Sequence, residues 1–238
     1  MRPDKKVEKG KIIPEKLNFS WPLSKNSISI DLPLKVWKVL TPPARSNLST
    51  RVSLKWVNMS KVDIFIDGGN FYRTITAYGL HFLSFKIRDF CQSLLGLQDE
   101  MGLIRLYIGK IRCYKNDSHS AKLHAAQQKV IRKLNAEGVR IIFGVIQRTG
   151  SVYVEKGVDV QIALDLLEGA YEDKFDEAIV ITSDSDLAPA FMKVKKQAKI
   201  VKSIMFTKRR SRLLEQKSSN CKILDIKWLS RFGKLNNS

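Results

Sequence analysis

Apolar and polar positions fall into a regular order only from Val62 onward. Val62-Asp63-Ile64-Phe65-Ile66 is a short β-rich run, and the Asp67-Gly68-Gly69-Asn70 that follows reads as a strand passing into a turn. Residues 85–95 place Phe85, Ile87, Phe90, Cys91, Leu94 and Leu95 at helical spacing, with Ser84 as N-cap and Gly96 as the stop. Residues 103–113 alternate as a strand does. Residues 118–137 read as a long basic helix with a stripe of Leu123, Ala126, Val130 and Leu134, closed by Gly138. A buried strand at 139–146, a Thr149-Gly150 turn and a short strand at 152–154 come next. Then follow a helix at 158–171, a strand at 178–182, a helix at 187–197 and a final strand at 200–206. Strands alternating with helices predict an α/β domain with a mainly parallel sheet covered on both faces. Such a sheet gathers its ligands outside the carboxyl ends of its strands.

Residues 1–60 have no sustained period, and prolines at 3, 14, 22, 33, 42 and 43 break them up. They read as a basic, irregular extension with at most a short element at 28–40 and local contacts of Trp21, Trp37 and Trp56. The domain proper is expected at 61–230, strongly basic from about 193, with a tail at 231–238. Met59 immediately precedes the organised region and is a candidate true start.

At 238 residues with 44% hydrophobic content, the chain is long enough for one sizeable core. No apolar stretch nears the roughly 20 residues of a membrane-spanning helix. The opening residues also lack the apolar core of a secretory signal, so the expectation is a soluble, cytoplasmic protein without a membrane partner. Cys91, Cys113 and Cys221 are odd in number and far apart, which fits core thiols better than a disulfide framework or a zinc site. His81, His119 and His124 are too scattered for joint metal ligation.

The formal charge of +19 is unevenly spread: 12 basic against 4 acidic residues in 1–60, 16 against 17 in 61–192, and 14 against 2 in 193–238. Basicity at both ends fits an electrostatic footprint for a polyanion, with Lys156, Lys193, Lys208, Arg209, Arg210 and Arg212 as candidate nucleic-acid contacts. A solvated, solubilising surface is the bland alternative.

Two expected strands end in acidic turns, Asp67-Gly68-Gly69-Asn70 and Thr182-Ser183-Asp184-Ser185-Asp186, which would bring three carboxylates to one edge of the sheet. Asp159 adds a fourth in the first turn of the helix at 158–171, where the positive end of the helix dipole favours a charged group. Clustered carboxylates repel and raise one another's pKa, so such a group holds protons or a divalent cation. Ligation by oxygen alone points to Mg²⁺ or Mn²⁺, ions suited to phosphodiester hydrolysis. Gly68 and Gly69 would let backbone N–H groups approach a phosphate, and Asn70, Ser183 and Ser185 can orient a carboxylate or a water. Either segment alone is also what an ordinary turn or N-cap looks like.

In combination the segments are more specific. Phe65-Ile66-Asp67-Gly68-Gly69-Asn70-Phe71, Lys156-Gly157-Val158-Asp159-Val160 with Leu164-Asp165, and Ile181-Thr182-Ser183-Asp184-Ser185-Asp186-Leu187 resemble the NYN domain family of the PIN-like nuclease superfamily, particularly its LabA-like branch. The resemblance covers about residues 61–230. It departs from the family pattern in having Thr182-Ser183 directly before Asp184 without a glycine, and Gly68 and Gly69 where Asp or Ala is common. It implies a PIN-like three-layer α/β/α domain, with Asp67, Asp159, Asp184 and Asp186 as metal-binding acids and Asn70 as their polar companion. Asp165 lies about 240° round the helix from Asp159, so it is expected behind the ligands, paired with Lys156 or Lys193.

The expectation is a metal-dependent endoribonuclease acting on single-stranded or structured RNA, in which Tyr72, Tyr153 and Phe191 are candidates for base stacking with at least two of them in the core. The alternative is an RNA-binding or interaction module of the same fold with weak or no turnover. A phosphatase of the haloacid dehalogenase type would want Asp-x-Asp after the first strand, and Gly68-Gly69 removes the second acid. The oligomeric state is left open, a homo-oligomer included.

Overall fold

The computed structural model describes residues 59–149 and 152–235, with the backbone alone for 147–149 and 152–155. The expectations for residues 1–58 and for the Tyr153 side chain lie outside the described residues. Seven strands form one sheet: β1 (Ser60–Asp67), β2 (Asp99–Lys110), β3 (Arg140–Thr149), β4 (Val152–Lys156), β5 (Glu177–Ile181), β6 (Ile200–Phe206) and β7 (Asn220–Leu224). Their spatial order is β4-β3-β2-β1-β5-β6-β7. Every neighbouring pair is parallel except β3 with β4, which are antiparallel. The helices are α1 (Gly68–Ala77), α2 (Ile87–Gln92), α3 (Ser118–Ala136), α4 (Val158–Tyr171), α5 (Ala188–Lys196), α6 (Arg212–Lys217) and α7 (Ile226–Leu229).

Alternation along β1 builds the layers, because successive side chains of a strand point to opposite faces. Val62, Ile64 and Ile66 join Phe71 and Ile75 of α1, Ile87 and Phe90 of α2, Leu134 of α3 and Leu229 of α7 in one core. Phe65 points the other way and meets Val158, Ile162 and Leu166 of α4, Phe191 and Val194 of α5 and Leu214 of α6. The result is the expected three-layer α/β/α domain. No described helix is long and apolar enough to cross a membrane.

Several details differ from the sequence expectation. Asp67 passes directly into α1, so Gly68 and Gly69 are helical and not turn residues. Ser84 belongs to a 3₁₀ turn, and α2 starts later behind Lys86 without a side-chain cap. The strand at 200–206 is not the final one, since the chain after it adds α6, β7 and α7, with β7 paired to β6. In α3 only Leu134 of the expected stripe is fully buried, while Ala126 is exposed. Cys91 is a core thiol as expected, whereas Cys113 is exposed and Cys221 half-buried.

Gly68 shows how closely α1 passes β2. A Cβ added there would lie 2.3 Å from Ile108 Cγ2 and 2.5 Å from the Tyr107 carbonyl oxygen. Its lack of a side chain is therefore required by packing against β2. Because one obstacle is backbone, Gly68→Ala is expected to destabilise by about 1–3 kcal/mol, as overpacking does, and chemical denaturation checks it.

Candidate functional site

The carboxyl edge of the sheet is organised by two adjacent strands. β1 and β5 are in register with Ile66 opposite Ile181, so Asp67 and Thr182 leave the sheet side by side. Asp67 is buried and acts as N-cap of α1: its Oδ1 accepts from the Asn70 backbone N–H at 2.9 Å. Its Oδ2 accepts from the hydroxyl of the fully buried Thr182 at 3.0 Å. The same hydroxyl oxygen accepts the Asp184 backbone N–H at 3.0 Å. One side chain thus ties Asp67 to the loop that presents Asp184 and Asp186. Asp184 then caps a 3₁₀ turn by accepting the Asp186 N–H at 3.0 Å, which leaves Asp186 exposed.

Asp159 enters from the opposite layer. Gly157, with φ +76°, turns the chain out of β4, and α4 begins with Asp159 in its first turn, half-buried. Burial pushes the Asp159 pKa up, and the negative charges of Asp184, Asp67 and Asp186 push it further, opposed by Arg73. The four acids therefore share one electrostatic neighbourhood. Asp67 is also held above the usual carboxylate range, first by burial, against the hydrogen bonds from Asn70 and Thr182 and the charge of Arg73. Among the described residues, no group of three His, Cys, Asp or Glu side chains is gathered closely enough to hold a metal ion.

Arg73 is the residue that sequence reasoning missed. It is exposed on α1 and acts on both Asp67 and Asp159. Reading Asp67 to Asn70 as a turn concealed the helix that brings it near the acids. Asn70 also works differently from the expectation: its backbone holds Asp67, while its side-chain amide bonds the Ser183 hydroxyl at 2.9 Å.

Asp165 is not paired with Lys156 or Lys193. It accepts from the Tyr107 hydroxyl at 2.8 Å and from Gln161 Nε2 at 2.7 Å, one turn along its own helix. Lys156 and Lys193 are exposed. Of the C-terminal cations, Lys208 donates to the Ala77 carbonyl at 2.8 Å and lies 4.8 Å from the centre of the Tyr78 ring, and Arg210 is paired with Glu215 at 3.0 Å. Arg209 and Arg212 are exposed. Phe191 is core, and Tyr72 is exposed against Phe82.

The fold is similar to the crystal structure of a protein of unknown function from Vibrio parahaemolyticus, with a TM-score of 0.54 at 20% identity, covering 71% of this chain and 94% of that one. No curated protein matches the sequence. The family model of the NYN domain matches residues 61–224, which span β1 through β7 and include all four acids. The chain therefore belongs to the NYN domain family, within the PIN-like nuclease superfamily.

Proposed function

We propose that this protein is a divalent-metal-dependent endoribonuclease whose site is the cluster of Asp67, Asp159, Asp184 and Asp186. The observation that carries the reading is the tie through Thr182. A single buried hydroxyl holds Asp67 and the Asp184 loop together at the carboxyl edge of adjacent parallel strands, where α/β sheets bind their ligands. Asp159 and Asp186 complete an all-oxygen donor set, in which burial and the charges of Asp184, Asp67 and Asp186 hold the Asp159 carboxyl above the usual carboxylate range.

That donor set fits Mg²⁺ or Mn²⁺ in its chemistry, since hard cations take carboxylate oxygens, and its side chains would have to draw closer together than they stand here to share one ion. Asp67, Asp159, Asp184 and Asp186 would hold such a cation, which would supply Lewis-acid polarisation of a phosphodiester and a lowered pKa for a bound water. The chain itself supplies the rest. Thr182 and the Asn70 N–H occupy one oxygen each of Asp67 and fix its plane. Arg73 offsets part of the negative charge that would otherwise repel a phosphate. Membership of a nuclease superfamily and the +19 charge support a nucleic-acid substrate. The exposed cations and the exposed ring of Tyr72 favour RNA with unpaired bases.

Incubating a labelled single-stranded RNA with the full chain tests this. Internal cleavage is expected with Mg²⁺ or Mn²⁺ and none in a chelator. An RNA that is bound but left intact under every metal condition would replace the enzyme by a binding module of the same fold.

A further inference from the structure

A second basic surface stands beside the acidic edge. Residues 110–133 contain seven lysines and arginines against one acid, Asp117. Averaging over 61–192, with its 16 basic and 17 acidic residues, conceals this segment. Its position follows from register. Tyr107 of β2 lies opposite Asp67, and β2 continues to Lys110, three residues further on. At roughly 3.3 Å per residue, that carries the strand about 10 Å past the level of Asp67, so the loop leaving it starts on the same carboxyl edge of the sheet as the acids, on the β2 side.

The loop is fastened from below. Gln127 of α3 donates to the Gly109 carbonyl at 2.7 Å and accepts the Ile111 N–H at 3.0 Å. Ser120 Oγ accepts the Tyr114 N–H at 3.0 Å, and Asp117 caps α3 by accepting from His119 and Ser120. With the backbone held, Arg112 and Lys115 are exposed, and so are Lys110 before them and Lys122 on α3. Among the described residues these four form no ion pair. The C-terminal cations are more occupied: Lys199 is paired with Asp173, Arg210 with Glu215, Lys195 with the Lys217 carbonyl and Lys208 with the Ala77 carbonyl.

Beside the cations lies an exposed aromatic ring. Phe143 of β3 is 42% exposed, Val145 on the same face is 58% exposed, and Lys110 Nζ sits 5.9 Å from the Phe143 ring centre. An exposed ring beside a cation with no ion pair among the described residues is the arrangement that takes a single-stranded nucleic acid, with phosphates on the charges and a base on the ring.

We propose that single-stranded RNA reaches the acidic edge across this surface, its phosphates on Lys110, Arg112, Lys115 and Lys122 and a base against Phe143. The inference rests on reading the edge as a nuclease site, but it concerns where the strand is gripped and is separable from cutting.

Fluorescence anisotropy of a short labelled single-stranded RNA, measured in chelator over a series of salt concentrations, tests it on the full chain. Combined replacement of Lys110, Arg112, Lys115 and Lys122 by Ala should lower the slope of log affinity against log salt by about 3, at roughly 0.7 per phosphate. Arg112→Ala alone should lower it by about 0.7. Phe143→Ala should weaken binding about tenfold with the slope unchanged, as loss of one stacked base does. Thermal unfolding of the lysine and arginine variants should match the parent, since the replaced charges are exposed.

An unchanged slope in the four-residue variant would overturn the assignment, as would equal affinity of the parent for a blunt RNA duplex. So would a slope that falls only when Lys208, Arg209, Arg210 and Arg212 are replaced. Loop-dependent binding without cleavage under Mg²⁺ or Mn²⁺ would end the nuclease reading and leave the surface standing. Cleavage with a loop-independent slope would do the reverse.

Discussion

Asp184→Asn is expected to lower metal-dependent RNA cleavage by about a thousandfold or more while RNA affinity in chelator stays within about twofold of the parent. The substitution keeps the size of the side chain and one oxygen, so the cap on the Asp186 N–H at 3.0 Å survives. What it removes is one of the negative charges that act on Asp159 and on Asp67. Asp67→Asn should be about as damaging, because its carboxylate is bound to the Asp184 loop through Thr182. The double variant should add little to either, since residues that work as a unit give non-additive losses. Single-turnover cleavage rates for the parent and the three variants check both the size of the loss and the non-additivity. Losses that multiply would mean that the two aspartates act separately.

Arg105→Ala is expected to cost about 3–5 kcal/mol of stability, the usual result of removing one partner of a buried ion pair. Asp63 sits in the middle of β1 at 1% exposure, and Arg105 of β2 is 7% exposed. Arg105 NH1 donates to Asp63 Oδ2 at 2.9 Å, and the Leu103 N–H donates to Oδ1 at 2.9 Å. With the guanidinium gone, one backbone N–H would be left to compensate a buried carboxylate. The Phe65 ring, 4.9 Å from the guanidinium carbon, would also lose its packing partner. Replacing both residues together, Asp63→Leu with Arg105→Met, should cost less than Arg105→Ala alone, because no charge is then stranded. Urea unfolding of the three proteins checks the order. A loss below about 1 kcal/mol for Arg105→Ala would show that water reaches Asp63.

The acids could be placed from sequence because each follows a strong local signal. Asp67 and the Asp184 turn come directly after apolar runs that form central strands, and Asp159 opens a helix with clear start and stop. The helix after Asp67 was hidden by Gly68-Gly69, since glycine lowers helix propensity. Here a side-chain cap and tight packing on β2 decide instead. β7 and α7 were missed for a different reason. At five and four residues, with lysines interleaved, they carry too little periodic signal and depend on pairing with β6 and burial of Leu224 and Leu229. The partner of Asp165 could not be read at all. Tyr107 is 58 residues away, and only the packing of α4 across β2 brings them together. The basic loop at 110–117 was present in the composition but was cancelled by the acids elsewhere in the domain.

Calorimetric titration of Mn²⁺ into the full chain, beside the Asp184→Asn variant, tests most directly whether Asp67, Asp159, Asp184 and Asp186 form one cation site. The account predicts saturable binding to the parent, a rise in its melting temperature as the ion is added, and loss of both in the variant. No saturable binding to the parent, or the same binding in the variant, would contradict it.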